Sequence, residues 1–207
     1  MSRLRLLSPS GFKVAAPAEL LWALIGLILT IGGTFLEAYM MNAPWSWGQG
    51  GVITHSLGVS YQIAAVLLVG CLGGRNAALI SQLAYLTLGL TWLDVFTEGG
   101  GFDYLQRPTF GYLLGFVPGA WICGWFAFRM PLRIETLALS CISGLAAIHG
   151  VGLVYLAIAR GLGWVGASAG SLWEQILAYS VYPIPGQLAI VCAVTVIAYT
   201  LRNVLFY

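Results

Sequence analysis

Runs of apolar residues long enough to cross a bilayer recur along this chain, and they limit its fold more than any other feature. A hydrocarbon core about 30 Å thick needs roughly 20 consecutive apolar residues when the chain crosses it as a helix. Inside that core every backbone donor and acceptor must find a partner within the protein, so only helices or a closed barrel cross it. The runs here are long and continuous rather than short and alternating, which selects helices. Spans are expected at about 18–41, 58–74, 76–96, 110–128, 134–159 and 172–206. The expected fold is therefore all-α: a polytopic membrane protein with a six-transmembrane-helix bundle as a single integral membrane domain over 1–207. Pro183 and Pro185 interrupt the last run. Each removes a backbone donor, and the carbonyls so freed need protein or a watery cavity beside them, not lipid.

Composition excludes the main soluble classes. Hydrophobic residues make up 59% and charged residues only 8%, against about 25% charged in soluble domains. The net charge is +2, with no basic run, so nucleic acid is not an expected partner. Cys71, Cys123, Cys141 and Cys192 each lie in an apolar stretch without a CxxC or Cys/His cluster, and they read as small core residues. Arg3 and Arg5 precede a full-length apolar run without a clear cleavage site, which reads as a retained first span.

The basic residues orient the ladder. With a cytoplasmic N-terminus, Arg3, Arg5, Lys13, Arg75, Arg129, Arg133 and Arg202 fall inside, and only Arg107 and Arg160 fall outside. Seven against two fits the positive-inside rule and puts both termini in the cytoplasm. The expected location is the cell membrane, or an internal one, as a multi-pass protein in contact with lipid.

No GxxxxGK[ST] or HExxH motif occurs, and no Ser/His/Asp nucleophile spacing is recognisable. The chain is not expected to be an enzyme, and no catalytic residue, metal ligand or cofactor is assigned. Glu37 and Glu174 are among the few carboxylates within the spans, both near the outer boundary, which argues against an ion-coupled pump. Small-residue pairs such as Gly111, Gly115 and Gly119 point to close helix packing. What remains suits a membrane protein that binds a small solute in an outward-opening pocket. Four features converge there: Arg107 with Thr109 at a helix start, Tyr112 one turn later, Gln187 just after the proline break, and Glu174 on the outer end of the same helix.

Pro108-Thr109 followed by Gly111-Tyr112-Leu113-Leu114-Gly115-Phe116 resembles the PTxGYLxGF signature of BioY proteins. Those are the biotin-binding S components of energy-coupling factor transporters. Val59-Ser60-Tyr61-Gln62, Leu72-Gly73-Gly74-Arg75, Leu86-Thr87-Leu88-Gly89-Leu90 and Pro183-Ile184-Pro185-Gly186 follow the family's order, so the resemblance covers about Gly58 to Leu188. Gln187 stands where the family typically has Asp, and Ile190 where it has Lys. The resemblance implies capture of biotin or a related small acid, energised by a separate transmembrane coupling protein and ATPase subunits. It also implies roles: Trp92 and Phe96 as apolar walls, Thr109 and Tyr112 at the ring, Gln187 reading the ureido group, Arg107 holding the carboxylate, and Asn42–Ser56 as a lid. The alternative is a degenerate relative serving as a structural or assembly subunit of a larger membrane complex.

Overall fold

The computed structural model describes residues 16–164 and 170–206. Arg3, Arg5 and Lys13 of the basic-side count lie outside them. Helix α1 (Ala16–Thr34) leads into strand β1 (Glu37–Met41), a one-turn helix α2 (Trp47–Gly50) and strand β2 (Thr54–Ser60). Helices α3 (Gln62–Thr91), α4 (Phe110–Arg129) and α5 (Ile134–Gly161) follow. The short α6 (Leu172–Ile176) runs through a wide π-type turn at Leu177–Val181 before α7 (Ile184–Phe206). Five stretches are long and apolar enough to cross a membrane: Pro17–Thr34, Gln62–Thr91, Phe110–Arg129, Ile134–Gly161 and Leu172–Leu205.

Helix α3 is not a straight rod. A straight helix of its 30 residues would hold Gln62 and Tyr85 roughly 35 Å apart. Instead Gln62 Nε2 donates to the Tyr85 hydroxyl at 2.7 Å. The chain reverses at Gly74, whose φ of 78° and ψ of 177° belong to a region open essentially to glycine alone. Val69 and Ser81, on opposite arms, both reach Gly26 of α1. The division expected between 74 and 76 falls at this reversal.

The first span ends earlier than expected. Helix α1 stops at Thr34, and residues 37–41 pair antiparallel with β2, so part of the expected first span and of the Asn42–Ser56 loop is a β-hairpin. The fold is thus mainly helical with a two-stranded addition. Gly33 lets the end of α1 close onto the start of α3: a side chain there would lie 2.9 Å from the Tyr61 carbonyl and the Gln62 nitrogen. The register slips between Glu37 and Tyr39, and Gly58 absorbs the irregularity at φ 64°.

The small-residue pairs do bring helices together. A Cβ on Gly115 would lie 2.6 Å from the Ile148 carbonyl, and one on Gly119 would lie 2.9 Å from the Gly144 carbonyl. Helices α4 and α5 therefore meet backbone to backbone. At the far end of the bundle Gly124 abuts Gly74 and Arg75, and Arg202 Nη1 donates to the Ala127 carbonyl at 2.7 Å. Arg75, Arg129 and Arg202 lie over aromatic rings at this end. Arg107 and Arg160 belong to the opposite end, where α4 begins and α5 finishes.

The last-helix break lies a turn earlier than the prolines suggested. It spans the wide turn and Tyr182–Pro183, while Pro185 sits in the first turn of α7, where a missing donor leaves no helical bond unmade. Cys71, Cys123 and Cys141 are buried, as expected, but Cys192 is exposed on α7.

Candidate functional site

A cavity of about 320 Å³ opens at the end that carries Arg107. Its size falls in the usual range for small-molecule sites, about 300–1,000 Å³. Gly58, Val59 and Ser60 of β2 form one wall, so the hairpin borders the cavity through its base. Residues 42–56, expected as the lid, do not line it, and Trp45 is 87% exposed. Thr109 comes from the cap of α4, Tyr112, Leu113 and Phe116 from α4 itself, Ile148 from α5, Tyr179 from the wide turn, and Pro183 and Gln187 from the break and the start of α7. The break places Pro183 against the cavity. The Pro183 carbonyl accepts from the Gln187 backbone at 2.9 Å.

Three of the six expected site residues meet here: Thr109, Tyr112 and Gln187. The other three do not line the cavity. Trp92 is 81% exposed just past the end of α3. Phe96 is 1% exposed and fills the space left by Gly89, its ring tilted against that of Tyr104 with centroids 4.7 Å apart. It supports the wall from behind, because Tyr104 lines the cavity. Arg107 stands at the mouth in an ion pair with Glu98, 3.1 Å away, with the two side chains 56% and 48% exposed. Glu98 itself borders the cavity. Glu174 is engaged elsewhere, in a reciprocal cap with Ser171 at the start of α6. Arg160 donates to the Gly170 carbonyl at 2.7 Å. Ile190 is buried in the apolar core with Val59, Leu67 and Val194.

Two residues absent from the sequence reading organise the site. His149 Nε2 lies 2.7 Å from Gln187 Oε1, and His149 Nδ1 lies 3.1 Å from Ser180 Oγ. Ser180 in turn lies 2.7 Å from the Tyr112 hydroxyl. The Tyr112 and His149 rings meet edge to face at 5.7 Å. The signal was a histidine in an otherwise apolar span, since ionisable groups at such positions usually serve a pathway or a ligand. A second anchor is Gln62, which lines the cavity and donates to Tyr85; the Tyr85 hydroxyl donates to the Val95 carbonyl at 3.0 Å. Burial pushes the Tyr104 phenol above its ordinary value, so it stays a neutral hydrogen-bonding group beside Thr109.

Away from the cavity, the Cys71 sulfur lies 3.6 Å from that of Cys123 and 3.5 Å from that of Cys141. Three thiolates suit a soft metal ion. Here the sulfurs are sealed among Leu67, Leu72, Leu137 and Leu145 at van der Waals separation, and they fill the helix crossing as small apolar groups.

The family model described as BioY family matches residues 38–206. A probable biotin transporter BioY of Lysinibacillus sphaericus is 41% identical over 118 residues, which are 56% of this chain and 58% of that protein. The chain thus spans less than two thirds of that relative. An uncharacterised 21.2 kDa protein from the psbX–ycf33 intergenic region of Cyanophora paradoxa is 28% identical over 150 residues, 72% of this chain and 76% of that one. The crystal structure of the S component for biotin from an ECF-type ABC transporter superposes with a TM-score of 0.67 at 20% identity, covering 92% of this chain and 95% of that one. At that identity the match establishes a shared fold. With the family model spanning most of the chain, this protein belongs to the BioY family.

Proposed function

We propose that this chain is the membrane capture component for biotin or a closely related small molecule. The observation that carries the reading is the cavity in which Thr109 and Tyr112 of the signature helix meet Gln187, backed by the hydrogen-bonded line of buried Ser180 and half-buried His149. Family membership and the shared S-component fold support the ligand. Gln187 and Tyr112 serve the ring of the ligand, and its acid tail leaves through the mouth beside Arg107. There an exposed ion pair exchanges Glu98 for the ligand's carboxylate at little cost, because such pairs are worth only about 0–1 kcal/mol. The two arms of α3 act as separate spans, giving six, with both termini on the cytoplasmic side of the cell membrane. The sequence carries no phosphate-binding loop, so uptake draws energy from separate ATPase and coupling subunits. A chain kept only as a structural subunit would need neither the cavity nor its hydrogen-bonded wall.

Calorimetric titration of the purified, detergent-solubilised chain with d-biotin tests this. Saturable binding of one equivalent, with none for an unrelated acid such as pantothenate, is expected. No heat with biotin in detergent or in lipid nanodiscs would sink the reading.

A further inference from the structure

Four side chains form one hydrogen-bonded line behind the cavity: Tyr112 from α4, Ser180 from the wide turn, His149 from α5 and Gln187 from α7. Both ends of the line, Tyr112 and Gln187, line the cavity. Proton positions along it are coupled, because a neutral imidazole has one N–H and one lone pair. With the hydrogen on Nε2, His149 donates to Gln187 Oε1, Nδ1 accepts from Ser180, and Ser180 accepts from Tyr112. The Gln187 amide nitrogen then offers a donor to the cavity, and the Tyr112 oxygen offers an acceptor. With the other tautomer and the Gln187 amide rotated by half a turn, every bond reverses. Gln187 then offers its oxygen and Tyr112 its hydroxyl hydrogen. In both arrangements the wall presents one donor and one acceptor.

A protonated His149 changes this pattern. Both ring nitrogens donate, to Gln187 Oε1 and to Ser180, and Ser180 donates onward to Tyr112. The cavity then meets two donors, the Gln187 amide and the Tyr112 hydroxyl.

We infer that His149 is a positioning residue that sets ligand specificity: neutral, it fits the wall to a ring carrying N–H beside C=O, as in a cyclic urea or lactam; protonated, it fits the wall to acceptor oxygens only. The inference rests on the proposed ligand reading and names the chemical group that the wall selects. The titratable groups that face this line are Tyr112 on α4 and Tyr179 on the wide turn, which sits 6.2 Å from the Tyr112 ring. At the cavity mouth stands Glu98, held by Arg107.

The test is calorimetry on the full chain in detergent, at pH 5 and pH 8, the window in which histidine changes charge. The probes are d-biotin and an analogue methylated on the ring nitrogens. All proteins carry Glu98→Gln, which removes the mouth carboxylate from the profile. With His149 present, biotin should bind about tenfold more tightly at pH 8 than at pH 5, the equivalent of one hydrogen bond lost. The methylated analogue, with no N–H to give, should lose that advantage. His149→Gln should flatten the pH profile, and His149→Leu should narrow the preference for biotin over the analogue. The profile with His149 present stands by itself should the leucine protein fail to fold. An identical pH profile and probe ratio with and without His149 would overturn the inference and leave biotin capture intact. No binding of biotin at either pH would overturn the capture reading, and this inference with it.

Discussion

Gln62 and Tyr85 lie 23 positions apart in one run of helix, yet they share a 2.7 Å hydrogen bond. The bond joins the two arms of α3 at the cavity end; the Tyr85 hydroxyl donates in turn to the Val95 carbonyl, and its oxygen lies 3.3 Å from Thr34 Oγ1 of α1. Tyr85 is fully buried, so no solvent replaces its hydroxyl. Tyr85→Phe leaves Gln62 Nε2 and the Val95 carbonyl without this partner. The expected loss is about 1–3 kcal/mol of stability, read as a lower midpoint of thermal unfolding in detergent. An unchanged midpoint would show that the arms are held by apolar packing alone.

Gly115 sets the distance between α4 and α5. Its missing side chain allows contact with the Ile148 carbonyl, and backbone cannot rotate out of the way. Gly115→Ala should cost about 1–3 kcal/mol as overpacking and should weaken ligand binding. The reason is that His149 follows Ile148 directly and moves with it. Comparing unfolding and titration of the same variant checks both effects.

Arg107 is half-exposed at the cavity mouth and paired with Glu98. Its expected role with an acid ligand is therefore modest. Arg107→Ala should weaken biotin binding by roughly 0.2–1 kcal/mol, while Glu98→Gln, which frees the guanidinium, should tighten it by a similar amount. Biotin amide should feel neither change. Opposite signs in the two titrations support the exchange of partners, and equal signs refute it.

The hairpin carries its own pH dependence. Ser56, and then Tyr39, donate hydrogen bonds to the Glu37 carboxylate and hold it below its ordinary value of 4.5. A depressed carboxylate contributes stability above its unfolded value and loses it as pH falls through the folded one. The hairpin should therefore loosen only below about pH 4.5. Hydrogen exchange across Glu37–Ser60 follows this, and Glu37→Gln should remove the dependence.

Orientation is open to thiol labelling. The background is Cys192→Ala, since Cys192 is exposed while Cys71, Cys123 and Cys141 are buried. Gly48→Cys in α2 should react with an impermeant maleimide from outside intact cells. Met130→Cys, at the end of α4 beside the arginines, should react only from inside. Reversal of either accessibility would defeat the proposed topology.

The sequence alone determined that this is a membrane bundle and where most of its helices lie. Apolar length is set by the thickness of the bilayer, a one-dimensional constraint that residues state directly. It also determined that the helix carrying Gly115 and Gly119 packs closely on a neighbour, because small residues at helical spacing permit it locally, while the structure made α5 that neighbour. The hairpin at Glu37–Ser60 was hidden. Its residues continue the apolar run of α1, and only their pairing with β2 takes the chain out of the helix after Thr34. Phe96 read as a cavity wall, yet the space above Gly89 draws it into the core. His149, alone in an apolar span, acquired partners only when α5, the wide turn and α7 packed together, bringing Ser180 and Gln187 to it across 31 and 38 residues. Periodicity reports which face of an element is apolar. A hydrogen bond between distant elements depends on how those faces come together, and only the tertiary structure decides that.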